Sequence, residues 1–117
     1  RRPDTVAADA AALGGNATSV ALDVTDPASI TAALDAVGPV NVLVNNAGIA
    51  ATRSFLDHTE ADWDSVMRVD LRGAFLVAQA AAKRMVAAGD GGVIVNIASI
   101  LATRVIPGVA SYSAAKA

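Results

Sequence analysis

Tyr112 and Lys116 stand four residues apart in the segment Tyr112-Ser-Ala-Ala-Lys116, a spacing that puts two side chains on one face of a helix. A phenol ordinarily ionises near pH ~10, so it works as a base at neutral pH only where a cation favours the phenolate. Lys116 can supply that cation one helical turn on. Ser99, thirteen residues before Tyr112, can hydrogen-bond a substrate oxygen while the phenol gives or takes its proton. By itself a Y-x-x-x-K pattern is common, and an amphipathic pair on a helix surface reads the same way.

The elements that would position these groups follow from local pattern. Val93, Ile94, Val95, Asn96, Ile97 and Ala98 form an apolar, β-branched run, as expected of a strand covered on both faces. Ser99 falls where that strand should end, and Pro107 with Gly108 punctuates the loop before an alanine-rich helix from about Val109. Upstream, residues 4–13 read as a helix stopped by Gly14 and Gly15. Residues 18–22 (TSVAL) read as a strand delivering Asp23. Asp26 followed by Pro27 is a helix start, because the carboxylate caps free N–H groups and proline is preset for the first turn.

That helix should run to Val37, and residues 40–44 give the next buried strand, with Asn45, Asn46, Ala47 and Gly48 at its carboxyl end. Thr59 with Asp62 makes a capping-box-like start for a long helix over about residues 60–88. Its apolar stripe holds Trp63, Val66, Met67, Ala74, Val77, Ala78, Ala81 and Met85, with Asp70 on the same stripe. The order helix, strand, helix, strand, helix, strand, helix implies parallel strands joined by crossovers, an α/β doubly wound sheet. Such sheets bind ligands beyond the carboxyl ends of their strands. Asp23, the Asn45 to Gly48 loop, Ser99 and the start of the Tyr112 helix all fall at that edge.

Composition narrows the class. Of the 117 residues, 54% are hydrophobic, 17% charged and only 3% aromatic, which describes core-rich globular material built from Ala, Val, Leu and Ile. A formal net charge of −2 without a basic cluster argues against nucleic acid as a partner. The absence of cysteine removes disulfides and thiolate metal sites and fits a cytoplasmic protein. No apolar run has the length of a membrane span. His58, the only histidine, reads as a surface residue, and with no G-x-S-x-G around Ser99 a hydrolase triad is poorly supported.

Asp23-Val24, Asn45-Asn-Ala-Gly48, Ser99 and Tyr112-Ser-Ala-Ala-Lys116, in that order and in those contexts, resemble the short-chain dehydrogenase/reductase family. The match covers essentially the whole chain. It implies a Rossmann-type sheet of which residues 1–117 are the central part, an excerpt of a single dinucleotide-binding and catalytic domain. It further implies that Tyr112 is the general acid/base, that Lys116 lowers its pKa and binds the nicotinamide ribose, and that Ser99 orients the substrate carbonyl or alcohol. Asp23 would hydrogen-bond near the adenine ring and Val24 would line it. Asn45, Ala47 and Gly48 would bring main chain close to the cofactor, NAD or NADP.

Two departures from the family pattern stand out. Val69-Asp70-Leu71-Arg72-Gly73-Ala74-Phe75 matches a V-N-L-x-G-x-F pattern in which the asparagine relays protons through a water, and Asp70 takes the asparagine's place. A carboxylate on an apolar stripe must be paired, hydrated or protonated. The glycine-rich phosphate-binding turn of the family is absent, and Arg1 or Arg2 is a candidate for a 2′-phosphate beside the plainer reading of solvated charges. The implied function is NAD(P)-dependent hydride transfer between the nicotinamide and a small-molecule secondary alcohol or ketone. The implied assembly is a homodimer or homotetramer, with no nucleic-acid or membrane partner, and the excerpt alone is expected to be inactive. The rival reading is a non-catalytic family member serving as a nucleotide-binding or scaffold module, with a nucleotide-sugar epimerase or dehydratase as a third.

Overall fold

The computed structural model describes residues 3–117; Arg1 and Arg2, and with them the 2′-phosphate expectation, lie outside the described residues. Helix α1 spans Pro3–Leu13 and α2 Pro27–Val37; strand β1 spans Val42–Asn45. A short 3-10 turn at Phe55–Asp57 precedes α3 at Glu60–Val66, a π-helical segment at Met67–Gly73 and α4 at Ala74–Ala88. Strand β2 spans Val93–Asn96, a second 3-10 turn Ile100–Ala102, and α5 Ala110–Lys116.

The helix starts form as their residue types dictate. The Asp26 carboxylate accepts from the Ala28 N–H at 2.9 Å, with Pro27 in the first turn of α2. At α3 the capping box is complete: the Asp62 N–H donates to Thr59 Oγ1 at 3.1 Å, and the Thr59 N–H donates back to Asp62 Oδ2 at 3.2 Å. Each such cap satisfies N–H groups that have no partner inside the helix. At the other end of the long helix Gly89 adopts φ +82°, the left-handed stop that glycine takes without steric cost.

β1 and β2 pair in parallel, Val42 opposite Val93 through Asn45 opposite Asn96, and α3, the π segment and α4 form the crossover between them. α4 packs on both strands and α2 packs on α4. The core gathers Ile30 and Leu34 of α2 with Val77 of α4, flanked by Val24, Val40 and Leu43. A single layer of helices therefore covers one face of the sheet. This is a partial Rossmann fold.

Three expectations change. Residues 18–22 form no strand, because none of the described residues pairs with them. The strands are covered on one face only. Val42 and Val44 of β1 are 61% and 55% exposed, because no described helix packs against that side, while Leu43 is half-buried toward α4. Trp63 lies at the exposed edge of the long helix, and its core stripe runs instead through Val66, Asp70, Gly73, Val77, Ala81 and Met85. Among the described residues, no helix is long and apolar enough to cross a membrane.

Candidate active site

The carboxyl end of β1 leads into Asn45, Asn46, Ala47 and Gly48, and that of β2 into Ile97, Ala98 and Ser99. Asn45 does not turn its side chain to open space. Its Nδ2 donates to the Ala74 carbonyl and to Asn96 Oδ1, both at 3.0 Å, so it ties the two strand ends to the start of α4. The Ile97 N–H donates to the Asn45 carbonyl at 2.9 Å and extends the pairing one residue beyond the strands.

The π segment delivers Asp70 to the loop after β1. Asp70 is only 4% exposed, and its Oδ1 accepts from the Ile49 N–H at 2.8 Å. Its second oxygen is covered and has no hydrogen-bond partner. A Cβ at Gly48 would stand 2.9 Å from Asp70 Oδ2, closer than real contacts allow, so any larger residue would push the carboxylate aside. The smallness of residue 48 thus serves Asp70, where the sequence pattern had suggested only an approach to cofactor. A π turn widens the helix by one residue and is often found where a helix carries a functional group.

Tyr112 and Lys116 project from α5, which packs against the π segment and α3. The Lys116 ammonium lies 5.9 Å from the centre of the Tyr112 ring and donates to the Ile97 carbonyl at 3.1 Å. An ammonium has three donors, so two remain for another oxygen. Gly48, Ile49, Ala98, Leu101, Tyr112 and Lys116 line a cleft of about 420 Å³. A larger groove of about 750 Å³ runs along the exposed side of α3 and the π segment, from Ala61 to Arg72. It contains none of the residues expected to do chemistry.

Ser99 sits half-buried between two cleft-lining residues, Ala98 and Leu101. Its Oγ accepts from the Leu101 N–H at 3.2 Å and caps the following 3-10 turn. A hydroxyl that accepts one bond still has its own proton to donate. Asp23 lies outside this cleft, in the irregular chain before α2. Its Oδ1 accepts from the Thr25 N–H at 2.8 Å and from Thr25 Oγ1 at 2.7 Å, and these bonds, main chain first, hold its carboxyl below the usual range, helped by Arg68. Val24 points inward, where a Cβ on Gly73 would come 2.8 Å from its Cγ2.

The structure therefore brings Tyr112, Lys116, Gly48 and the chain around Ser99 to one cleft. Asp70 stands behind the cleft wall and Asp23 with Val24 apart from it. Sequence reasoning missed Ile49 and Val109 as cleft walls, since apolar residues in loops carry no periodic signal. It also placed His58 at the surface. The ring is half-buried, and both of its nitrogens are covered and without partners.

Residues 1–117 match the family profile described as short chain dehydrogenase. The chain is 42% identical over 90 residues to 2-dehydro-3-deoxy-D-gluconate 5-dehydrogenase of Escherichia coli, covering 77% of this chain and 36% of that one. It is 44% identical over 114 residues to D-threitol dehydrogenase of Mycolicibacterium smegmatis, covering 92% and 44%. A solved short-chain type dehydrogenase/reductase from Mycobacterium marinum superposes with a TM-score of 0.88 at 33% identity, over 99% of this chain and 49% of that one. The chain spans less than half the length of these relatives.

Proposed function

This chain belongs to the short-chain dehydrogenase family, and from that membership we propose that residues 1–117 are the central part of one catalytic domain of an NAD(P)-dependent oxidoreductase. The observation that carries the reading is the cleft that Tyr112 and Lys116, one turn apart on α5, line together with Gly48 and Ile49. Tyr112 gives its phenolic proton to the substrate oxygen in reduction and takes it back in oxidation. The Lys116 ammonium favours the phenolate electrostatically, and its two free donors suit the vicinal hydroxyls of a ribose. Ser99 keeps its Leu101 cap and donates its own proton to the substrate oxygen, which fixes that oxygen relative to the phenol.

The residues present fit a nicotinamide cofactor: Lys116 has donors to spare, and Gly48 and Ile49, the latter tied back to Asp70, line the same cleft. Asn45, Ala47 and Gly48 build the loop on the cofactor side, with Asp23 and Val24 on the adenine side. The cofactor, NAD or NADP, supplies or accepts the hydride when bound. Asp70 keeps the loop in register and offers its second carboxylate oxygen to a relay water. The substrate is a secondary alcohol or ketone, and the names of the relatives above favour a polyhydroxylated one. A cysteine-free sequence suits a cytoplasmic enzyme, and the family's habit suits a homodimer or homotetramer.

The test is absorbance at the reduced-nicotinamide band, using the full-length protein with both cofactors and a panel of ketones, secondary alcohols and polyols. Tyr112→Phe should lower kcat by about 10²-fold or more, the weight of a general acid/base, while cofactor still binds. Cofactor binding without turnover of any panel member by the unmutated protein would favour the non-catalytic reading instead.

A further inference from the structure

Two segments flank the open side of the cleft, one following Gly48 and one following β2. Ala50 lines the cleft from the first, Leu101 and Val109 from the second. Neither segment is regular, yet they are fastened to each other by the main chain: the Arg53 N–H donates to the Gly108 carbonyl at 2.9 Å. Both ends of that joint are held. Arg53 Nε pairs with Asp62 Oδ2 at 3.0 Å, and Asp62 is itself fixed in the capping box at the start of α3. Gly108 has φ +89°, a left-handed conformation that side chains disfavour. A Cβ there would meet Arg53 O at 3.6 Å and Thr52 Cγ2 at 3.7 Å. Those are ordinary contacts, so it is the backbone angle that calls for glycine.

The residue after Gly108 gives the joint its weight. Val109 is 8% exposed and starts α5 without any side-chain cap. The first turn is closed by the Ser113 N–H donating to the Val109 carbonyl at 2.9 Å. With no cap of its own, the helix takes its starting point from the burial of Val109 and from the carbonyl of the preceding residue. Tyr112 lies within that first turn.

We propose that Gly108 is a positioning residue that also bounds the substrate: its joint with Arg53 closes the cleft's outer side into a ring and fixes where the Tyr112 phenol meets the substrate oxygen. This rests on the cleft being the active site, as proposed above. The ring runs from Gly48 through Ala50 to Arg53, crosses to Gly108, and returns through Val109 to Tyr112. A substrate substituent directed at the joint has to open it, so the joint limits how long that substituent can be.

The experiment compares Gly108→Ala with Gly89→Ala in the full-length protein. Gly89 has nearly the same backbone angle, φ +82°, with nothing within 4 Å of its added Cβ, and it stands at the far end of α4. Gly108→Ala should lower kcat/KM for the substrate by about tenfold or more, as expected when a reacting group is displaced by a fraction of an ångström to one ångström. Cofactor Kd should stay within about twofold, since the Lys116 and Gly48 side is untouched, and Gly89→Ala should keep kcat/KM within about twofold. Equal kcat/KM in the two variants would overturn the proposal, as would a matching loss of cofactor affinity in Gly108→Ala. If Gly108→Ala does not fold, Arg53→Pro, which removes the N–H that makes the joint, decides: a raised substrate KM at unchanged cofactor Kd supports the joint, and an unchanged KM overturns it. Absence of turnover by the unmutated protein is a different result, and it removes the oxidoreductase reading itself.

Discussion

Asp70 and Ile49 are tied by a hydrogen bond of 2.8 Å, in which a loop N–H donates to a buried carboxylate on the helix that follows the loop. The bond spans 21 residues of sequence and fixes the chain leaving β1 against the π segment. It gives Asp70 a task that an asparagine could perform equally well, since an amide oxygen accepts the same N–H.

Asp70→Asn should therefore retain activity, and Asp70→Leu should not be equivalent to it. The leucine leaves the Ile49 N–H without an acceptor, at a cost of about 1–3 kcal/mol, and frees the loop beside the cleft. Thermal melting together with kcat/KM for both variants separates the cases. A loss in Asp70→Asn as large as that of Tyr112→Phe would show that the charge, and not the hydrogen bond, is what matters.

Gly73→Ala should destabilise the protein even though it places a better helix former inside a helix. The gain in propensity is about 1 kcal/mol, whereas the new Cβ would lie 2.8 Å from Val24 Cγ2 and 3.2 Å from the Val24 carbonyl. Overpacking of this kind costs about 1–3 kcal/mol, and a stiff β-branched side chain beside main chain has little room to yield. The denaturant midpoint reports the balance; an unchanged or higher midpoint would mean that Val24 moves freely.

Stability should fall in acid through Asp62 and Asp23. The Thr59 hydroxyl and N–H, then Arg53 and His58, hold the Asp62 carboxyl below its ordinary 3.8, and Thr25 does the same for Asp23. The unfolded chain then binds more protons than the folded one in that range, so stability rises with pH there. The contribution is fully present above pH 3.8 and is lost as pH falls through the lowered folded values. Melting temperatures followed down the acid range should drop less steeply in Asp62→Asn than in the unmutated protein; parallel curves would count against this account.

Local and periodic features were legible in the sequence. Asp26-Pro27 and Thr59 with Asp62 marked helix starts that the structure confirms bond by bond, and the apolar runs before Asn45 and Asn96 marked two strands that pair in parallel. The strand expected at residues 18–22 failed because a strand needs a neighbour, which its own residues cannot supply. The half-buried setting of His58 and the Arg53 to Gly108 joint were hidden for a similar reason: both depend on contacts between loops. In the cleft, the shared helix face of Tyr112 and Lys116 was legible from spacing, while their candidacy for chemistry came from the family resemblance. The partner of Asp70 was not, because an isolated acid on an apolar stripe says that something must meet it without saying what.

The π segment at Met67–Gly73 has one more consequence. Each residue of an α-helix advances about 100° around the axis, so a surplus residue in a regular helix would turn everything beyond it by that angle, and the wide turn absorbs the surplus instead. Removing one residue there would let the turn close to an ordinary α-turn, with Val66, Val77, Ala81 and Met85 keeping their present sides and only the placement of Asp70 changing. The widened turn thus works as slack in one continuous rod: it gives Asp70 to the loop without turning Val77 away from the strands.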